Sequence, residues 1–195
     1  MTLQNLSGDS STKILQTASR LFYEQGYHVT GINQVIAEAG VSKASFYHHF
    51  SSKEELCIAY LHKRHQNWFS WLQEEVELYE DRQERLLSLF TFLERWLPDS
   101  NFRGCAFLNI ASEFPSPDSK IRLLVVNHKN ALQDYIRQLV DRLNISTKKN
   151  NTVMLADFIY ILFEGAITES QIYRSTQAIQ AAREAVKQLI NHLFF

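Results

Sequence analysis

The stretch from Ile32 to Phe50 constrains this chain more than any other. Two short runs of helical character, Ile32–Ala39 (INQVIAEA) and Lys43–Phe50 (KASFYHHF), are separated only by Gly40-Val41-Ser42. Gly40 can take the left-handed conformation that ends the first run, and Ser42 can cap the second. Thr30 is the expected cap of the first. Val35, Ile36 and Ala39 put an apolar face on one run, and Phe46 and Phe50, four apart, put one on the other. Upstream, Ile14, Leu15, Ala18, Leu21 and Phe22 mark one face of a longer helix that runs from Ser11 to a stop at Gly26. Two short helices joined by a Gly-containing turn and docked on a preceding helix form a helix-turn-helix.

The remainder also reads as helix. Ser51-x-x-Glu54 and Ser52-x-x-Glu55 are capping-box patterns that open a long fourth helix carrying Leu56, Tyr60, Leu61, Trp68, Leu72 and Val76 on one side. A fifth is expected over Asp81–Leu97, ended by Pro98, and a sixth over Cys105–Phe114, closed by Pro115-Ser116-Pro117. A seventh follows over Asp118–Leu143. The eighth, Thr152–Tyr173, is apolar nearly all round and is expected to be buried on more than one side. The ninth starts at Thr176 and carries Ile179, Ala182, Val186, Leu189 and Leu193 as a narrow seam suited to a partner helix. No stretch alternates with the period of a strand, and 6 Gly and 3 Pro leave little turn chemistry for a sheet. The expected fold is all-α, with a flexible polar arm over 1–10, a helix-turn-helix domain over 11–52 and a helical ligand-binding and dimerisation domain over 53–195.

Charge and cysteine use narrow the chemistry. Net charge is −1, so the chain is no polycation that coats nucleic acid indiscriminately. Through residue 66, six cations (Lys13, Arg20, Lys43, Lys53, Lys63, Arg64) face five acids (Asp9, Glu24, Glu38, Glu54, Glu55), a surplus of one. Binding to DNA must therefore rest on geometry and dimer avidity rather than on a strong field. Two cysteines, Cys57 and Cys105, make no disulfide framework and suit a reducing compartment. The N-terminus lacks a signal-peptide pattern. The longest apolar stretch, Phe158–Ile167, is interrupted by Glu164 and falls below the ~18 residues of a membrane span. A cytoplasmic location, without a membrane partner, is expected.

The second short helix suits the major groove of DNA. Ser42, Lys43, Ala44 and Ser45 are small or polar enough for close approach to base edges, and Phe46 and Phe50 can anchor the opposite face. Tyr47 and His48 are left to reach phosphate oxygens, and Lys53 stands at the start of the next helix. The matching features are Ala18, Leu21-Phe22, Gly26, Thr30, Ala39-Gly40-Val41-Ser42, Phe46-Tyr47-His48-His49-Phe50 and Lys53-Glu54-Glu55-Leu56. With these in fixed order, Ile14–Leu56 resembles the DNA-binding region of TetR-type transcriptional regulators. The resemblance covers roughly a quarter of the chain. It implies a homodimeric repressor with one recognition helix per half-site of a palindromic operator and a small-molecule effector held in the C-terminal domain. Carried over by position, it implies phosphate contacts from Thr30, Tyr47, His48 and Lys53, with Ser42, Lys43, Ala44 and Ser45 nearest the bases. Gly31 departs from the pattern, since many relatives carry Ser or Thr there.

His48, His49, His62 and His65 have no Cys or carboxylate at ligand spacing nearby, so no metal is expected, and no cofactor. Cys105 follows Arg103-Gly104 and is expected at a helix N-terminus, where a thiol pKa falls. The Gly-Cys start, with Asn109 and Glu113, also resembles a subgroup of TetR-type regulators, some of which sense oxidants or electrophiles through such a thiol. A small apolar residue packed on a pocket wall is the alternative and the more frequent case. Trp68, Trp96, Cys105, Asn109, His128 and Glu164 are the expected effector-contacting set among many core aromatics. Lys148-Lys149-Asn150-Asn151 reads as a solvated turn. Helices eight and nine of each protomer are the expected dimer interface. Of the rival functions, a helical enzyme finds no nucleophile–base pattern or phosphate loop in support. A helical adaptor leaves the small polar start of the recognition helix unexplained.

Overall fold

The computed structural model describes residues 4–144 and 149–194. Among them are nine helices and no strand: α1 (Gln4–Glu24), α2 (Ile32–Ala39), α3 (Lys43–His49), α4 (Lys53–Glu77), α5 (Arg82–Asp99), α6 (Ala106–Ala111), α7 (Lys120–Asp141), α8 (Lys149–Tyr173) and α9 (Gln177–Phe194). Contacts divide the chain into two units. The first takes the chain up to Gln66 together with Ala106–Val126, and the second takes Asn67–Cys105 and everything from Asn127 on. The long helices α4 and α7 thus each contribute to both units, whereas the sequence had suggested a boundary at 52/53.

In the first unit, α2 and α3 pack on α1 and on each other. Ile14, Ala18, Leu21 and Phe22 from α1 meet a core completed by Val35, Ala39, Phe46, Phe50, Leu56 and Tyr60, all buried. Arg20 on α1 pairs with Glu38 on α2 and with Glu24 at 3.2 Å, while Gln34 donates to Glu38 at 2.9 Å. These exposed pairs add little energy individually.

Local chemistry explains most of the boundaries. Gly40 is left-handed (φ 64°, ψ 36°), and its N–H reaches back to carbonyls of α2. Ser42 Oγ accepts from Ser45 N at 3.0 Å, as an N-cap should. Of the two capping-box patterns, the Ser52–Glu55 one is used: Ser52 Oγ accepts from Glu55 N at 3.1 Å, and the Glu55 carboxylate turns back to Ser51 N at 2.9 Å. Asp81 caps α5 by accepting from Gln83 N and Glu84 N.

Several boundaries differ from expectation, among them the start of α8, which lies at Lys149 rather than Thr152. α1 begins at Gln4, so residues 4–10, read as a flexible arm, are helical; a single Gly8 costs only ~1 kcal/mol inside a helix. α5 runs one residue past Pro98 to Asp99, because the Pro98 and Trp96 carbonyls still accept the N–H groups of Asn101 and Ser100. α6 is shorter than Cys105–Phe114, and residues 112–113 form a turn. α7 ends two residues early at both termini. Of the turn read over Lys148–Asn151, Lys148 lies outside the described residues, and Lys149–Asn151 form the first turn of α8 instead.

In the second unit, α5, α8 and α9 pack mutually. Leu86, Leu89, Phe90, Leu93, Phe163, Ile167, Ile179, Val186 and Ile190 are fully or almost fully buried there. Each such large side chain contributes ~1.5–3 kcal/mol of transfer free energy. Two expectations are corrected. The first part of the α9 seam faces its own chain: Ile179, Ala182 and Val186 are buried against neighbouring helices rather than left for a partner, Leu189 is half-buried, and the side chain of Leu193 lies outside the described residues. Conversely, α8 is not buried all round. Met154, Phe158, Ile161, Gly165, Thr168 and Ile172 are exposed at steps of four and three along one stripe. By length and composition Asn151–Tyr173 would even suffice to cross a bilayer (mean hydropathy 1.3), which the shorter run Phe158–Ile167 had not suggested; only 33% of it is buried.

Candidate nucleic-acid interface

The recognition element is held from behind and open in front. Phe46 is fully buried and Phe50 nearly so, with ring centroids 6.3 Å apart, which fixes the inner face of α3. On the outer side Ser42, Lys43 and Ala44 are exposed and Ser45 is half-buried. Tyr47 is 46% exposed with its ring edge-on to Phe46 at 5.2 Å, and His48 is exposed beside His49. The backbone of α3 therefore presents Lys43, Ala44, Tyr47 and His48 together. Ser42 shares this end, but its hydroxyl is engaged as the cap of α3.

Two of the expected phosphate contacts have their side chains engaged within the chain. Thr30 is 0% exposed, and its hydroxyl donates to Gly26 O at 2.7 Å, so it closes the α1–α2 turn instead of facing a phosphate. Nor does it cap α2: the N-cap is Gly31, with no side-chain hydrogen bond. Lys53 is half-buried, its ammonium 4.3 Å above the Tyr27 ring and 3.4 Å from His28 O. Burial lowers its pKa. It pins the turn before α2, reaching outward only by leaving these contacts.

Gly31 yields a direct test of the capping argument. Its φ of −87° suits any residue, and an added Cβ would meet nothing within 4 Å. A Gly31→Ser variant should gain a side-chain cap and lose unfolded-state freedom, for about 0.5–1 kcal/mol of added stability. A urea denaturation midpoint that falls or stays put would refute this.

Sequence reading overlooked Val29, which is 75% exposed, and the neighbouring exposed His28. Val29 gave a signal, being an apolar residue in a turn with no helical partner position. Glu113, noted only through the resemblance, also proves to belong to this unit. Its carboxylate accepts from Tyr27 N at 2.9 Å and from His28 N at 2.6 Å.

The second unit gathers five of the six expected effector contacts, Trp68, Trp96, Cys105, His128 and Glu164, into its interior. Trp68, 4% exposed, packs edge-on against Trp96, Phe92 and His128 with ring centroids 5.3–5.8 Å away. Lys129, missing from the expected set, links the rest. Its ammonium is 2.5 Å from Glu164 Oε2 and 3.6 Å from Cys105 Sγ. Burial alone would lower its pKa, but Cys105 and Glu164 outweigh that and raise it. A sequence signal existed: Lys129 lies four residues after Val125 and seven before Ile136, at the edge of the apolar face of α7. Trp68 Nε1 and Glu164 Oε1 are buried and have no hydrogen-bond partner among the described residues. Asn109, on α6, is half-buried in the first unit. Cys105 directly precedes Ala106, the first residue of α6, and so stands at the helix start as expected.

The residue before Cys105 is also constrained. Gly104 has φ +74°, and a Cβ there would run into the Gln171 side chain. Gly104→Ala should cost about 1–2 kcal/mol from the backbone alone. A Tm drop of about 3–8 °C at fixed protein concentration is the expected reading; an unchanged Tm would show that the loop relaxes freely.

A helix-turn-helix whose second helix turns an exposed, small and polar N-terminal end outward, in one chain with a larger helical unit, defines a DNA-binding transcriptional regulator. Residues 14–60 match the N-terminal model of bacterial regulatory proteins of the tetR family, and residues 83–186 match the tetracyclin repressor-like C-terminal domain. The chain belongs to the TetR family. It is 62% identical over 52 residues to the HTH-type regulator YxaF of Bacillus subtilis, a match covering 26% of this chain and 27% of YxaF. The alignment thus spans about a quarter of that relative's length. The repressor NemR of Escherichia coli is 23% identical over 187 residues, covering 93% of this chain and 94% of NemR. Among solved structures, a TetR-family regulator from Streptomyces coelicolor superposes with a TM-score of 0.84 at 23% identity, covering 96% of this chain and 97% of that one. Reduced NemR superposes with a TM-score of 0.75 at 23% identity, covering 92% and 96%. These likenesses share the fold found here.

Proposed function

We propose that this protein is a cytoplasmic, homodimeric repressor that binds a palindromic operator and is released by a small-molecule effector, with no enzymatic activity of its own. The observation that carries it is the outward face of α3, where Lys43, Ala44, Tyr47 and His48 stand clear of a packed Phe46–Phe50 back. Lys43 and Ala44, with Ser42 and Ser45, read the base edges; Tyr47 and His48 hold phosphates. The relative NemR is named a repressor, although the relative FasR is named an activator.

The dimer forms through the exposed stripe of α8 joined by the outer face of α9, where Ala178, Ala181 and Ala185 are small enough for close approach. Gly165, with open space around its Cβ position, sits in the middle of the α8 stripe. The effector binds among Trp68, Trp96, His128, Lys129, Cys105 and Glu164. Trp68 Nε1 supplies an unused donor and Glu164 Oε1 an unused acceptor. Ligand binding shifts the population to dimers whose recognition helices no longer match the ~34–36 Å repeat of B-DNA. A coupling of ~1–3 kcal/mol suffices for release.

Selection of bound duplexes from a random pool, at a stated salt concentration, tests this reading. Enrichment of a palindrome with half-sites one helical turn apart supports it. Recovery of no preferred sequence, from protein verified free of bound small molecules, overturns it.

A further inference from the structure

We propose that Glu113 is a positioning residue of the DNA-binding unit, clamping the turn from which α2 starts. Its two carboxylate oxygens are shared between two successive backbone N–H groups: Oε1 takes Tyr27 N at 2.9 Å and Oε2 takes His28 N at 2.6 Å. Consecutive N–H groups directed at one anion form a concavity that favours negative charge, and charge-assisted bonds of this kind are stronger than neutral ones. The contact is reciprocal, because His28 Nε2 lies 3.0 Å from the Glu113 carbonyl oxygen. The next residue reinforces it: the Phe114 ring lies 4.9 Å from Tyr27 and stacks on His28 at 5.6 Å.

The turn is shaped to receive this carboxylate. Gly26 has φ +98°, and a Cβ on it would come within 3.1 Å of Glu113 Oε1. Thr30 ties the other end of the turn to Gly26 O, and Lys53 holds His28 O. Residues 26–30 are therefore held by the side chains of Thr30, Lys53 and Glu113, and Glu113 reaches them from a segment more than 80 residues further along the chain. The grip sets where α2 begins on α1, and with it the seat of α3. Glu113 touches neither base nor phosphate in this role; it acts through the backbone of Tyr27 and His28. The inference rests on the operator-binding reading for its effect on DNA and on the hydrogen-bond geometry alone for the clamp.

Glu113→Ala removes both acceptors, while Glu113→Gln keeps the shape and one acceptor oxygen. The test combines residue-resolved amide exchange with binding to the selected duplex and to an unrelated duplex. In Glu113→Ala, the Tyr27 and His28 amides should both exchange at least about tenfold faster, and selected-duplex affinity should fall about tenfold, the equivalent of one lost charge-assisted bond. Affinity for the unrelated duplex, set by charge rather than fit, should hardly change. Glu113→Gln should free one amide of the two and lose less affinity. Should the alanine variant fail to fold, the glutamine variant decides by the same readings. Parental exchange rates at both amides would overturn the clamp. Faster exchange with undiminished discrimination between the duplexes would overturn its positioning role. If the parent protein selects no duplex, the operator reading falls, while the exchange rates still decide the clamp.

Discussion

An Ile161→Asp variant should be monomeric at micromolar concentration and bind the operator about a thousandfold more weakly than the parent. Ile161 is 62% exposed in the protomer, so the substitution leaves the chain's own core untouched. In a dimer through α8, however, the carboxylate would be desolvated at the centre of the stripe that also holds Met154, Phe158, Gly165 and Ile172. An unpaired buried charge costs several kcal/mol. Two half-sites bound by one dimer gain an effective concentration that raises affinity by ~10²–10⁴ over one half-site. Splitting the dimer forfeits that gain. Sedimentation equilibrium and fluorescence anisotropy on the selected duplex give the reading. A variant that stays dimeric and binds normally would place the interface elsewhere.

Replacing Lys43 and Tyr47 together by alanine should lower operator affinity by about a hundredfold or more while leaving dimerisation and helicity intact. A side chain reading a base edge is worth ~1–3 kcal/mol of discrimination, and a phosphate contact contributes to affinity without regard to sequence. Both residues are exposed on α3, with Phe46 and Phe50 carrying its packing, so neither truncation opens the core. The single variants should separate by kind. Lys43→Ala should relax sequence preference, whereas Tyr47→Ala should weaken binding to all duplexes alike. Competition assays with point-substituted operators distinguish them. Full retention of affinity in the double variant would remove α3 from the groove.

Much of the helix-turn-helix was legible because its determinants are local. The left-handed Gly40, the Ser42 cap and the Ser52–Glu55 pairing each act over four residues or fewer, so residue type and spacing nearly specify them. The pairing of Phe46 with Phe50 follows from helical periodicity alone. Thr30 shows where such reading stops. Its position in the pattern was right for a contact or a cap, yet the hydroxyl folds back four residues to Gly26 O and leaves Gly31 as N-cap. A short polar side chain can satisfy itself locally in more than one way, and only the path of the turn selects among them.

Periodicity showed that α8 and α9 each carry apolar residues, but not what covers them. On α9 the regular seam of Ile179, Ala182 and Val186 went inward, since α5 and α8 of the same chain pack against it. On α8 the residues left over from the core became the exposed stripe. An apolar face is a requirement to be buried, and topology decides by whom. The same holds for the two charged contacts that matter most. Glu113 reaches a turn 85 residues earlier in the chain, and Lys129 meets Glu164 across 35 residues. The amino-acid sequence by itself determined the helices, the caps at Gly40, Ser42 and Ser52, and the identity of the recognition element, because those arise from bonds between near neighbours. Tertiary structure alone decided which carboxylate grips the α1–α2 turn, which lysine is buried beside Cys105 and which helix face is left open, because these depend on how distant segments are brought together.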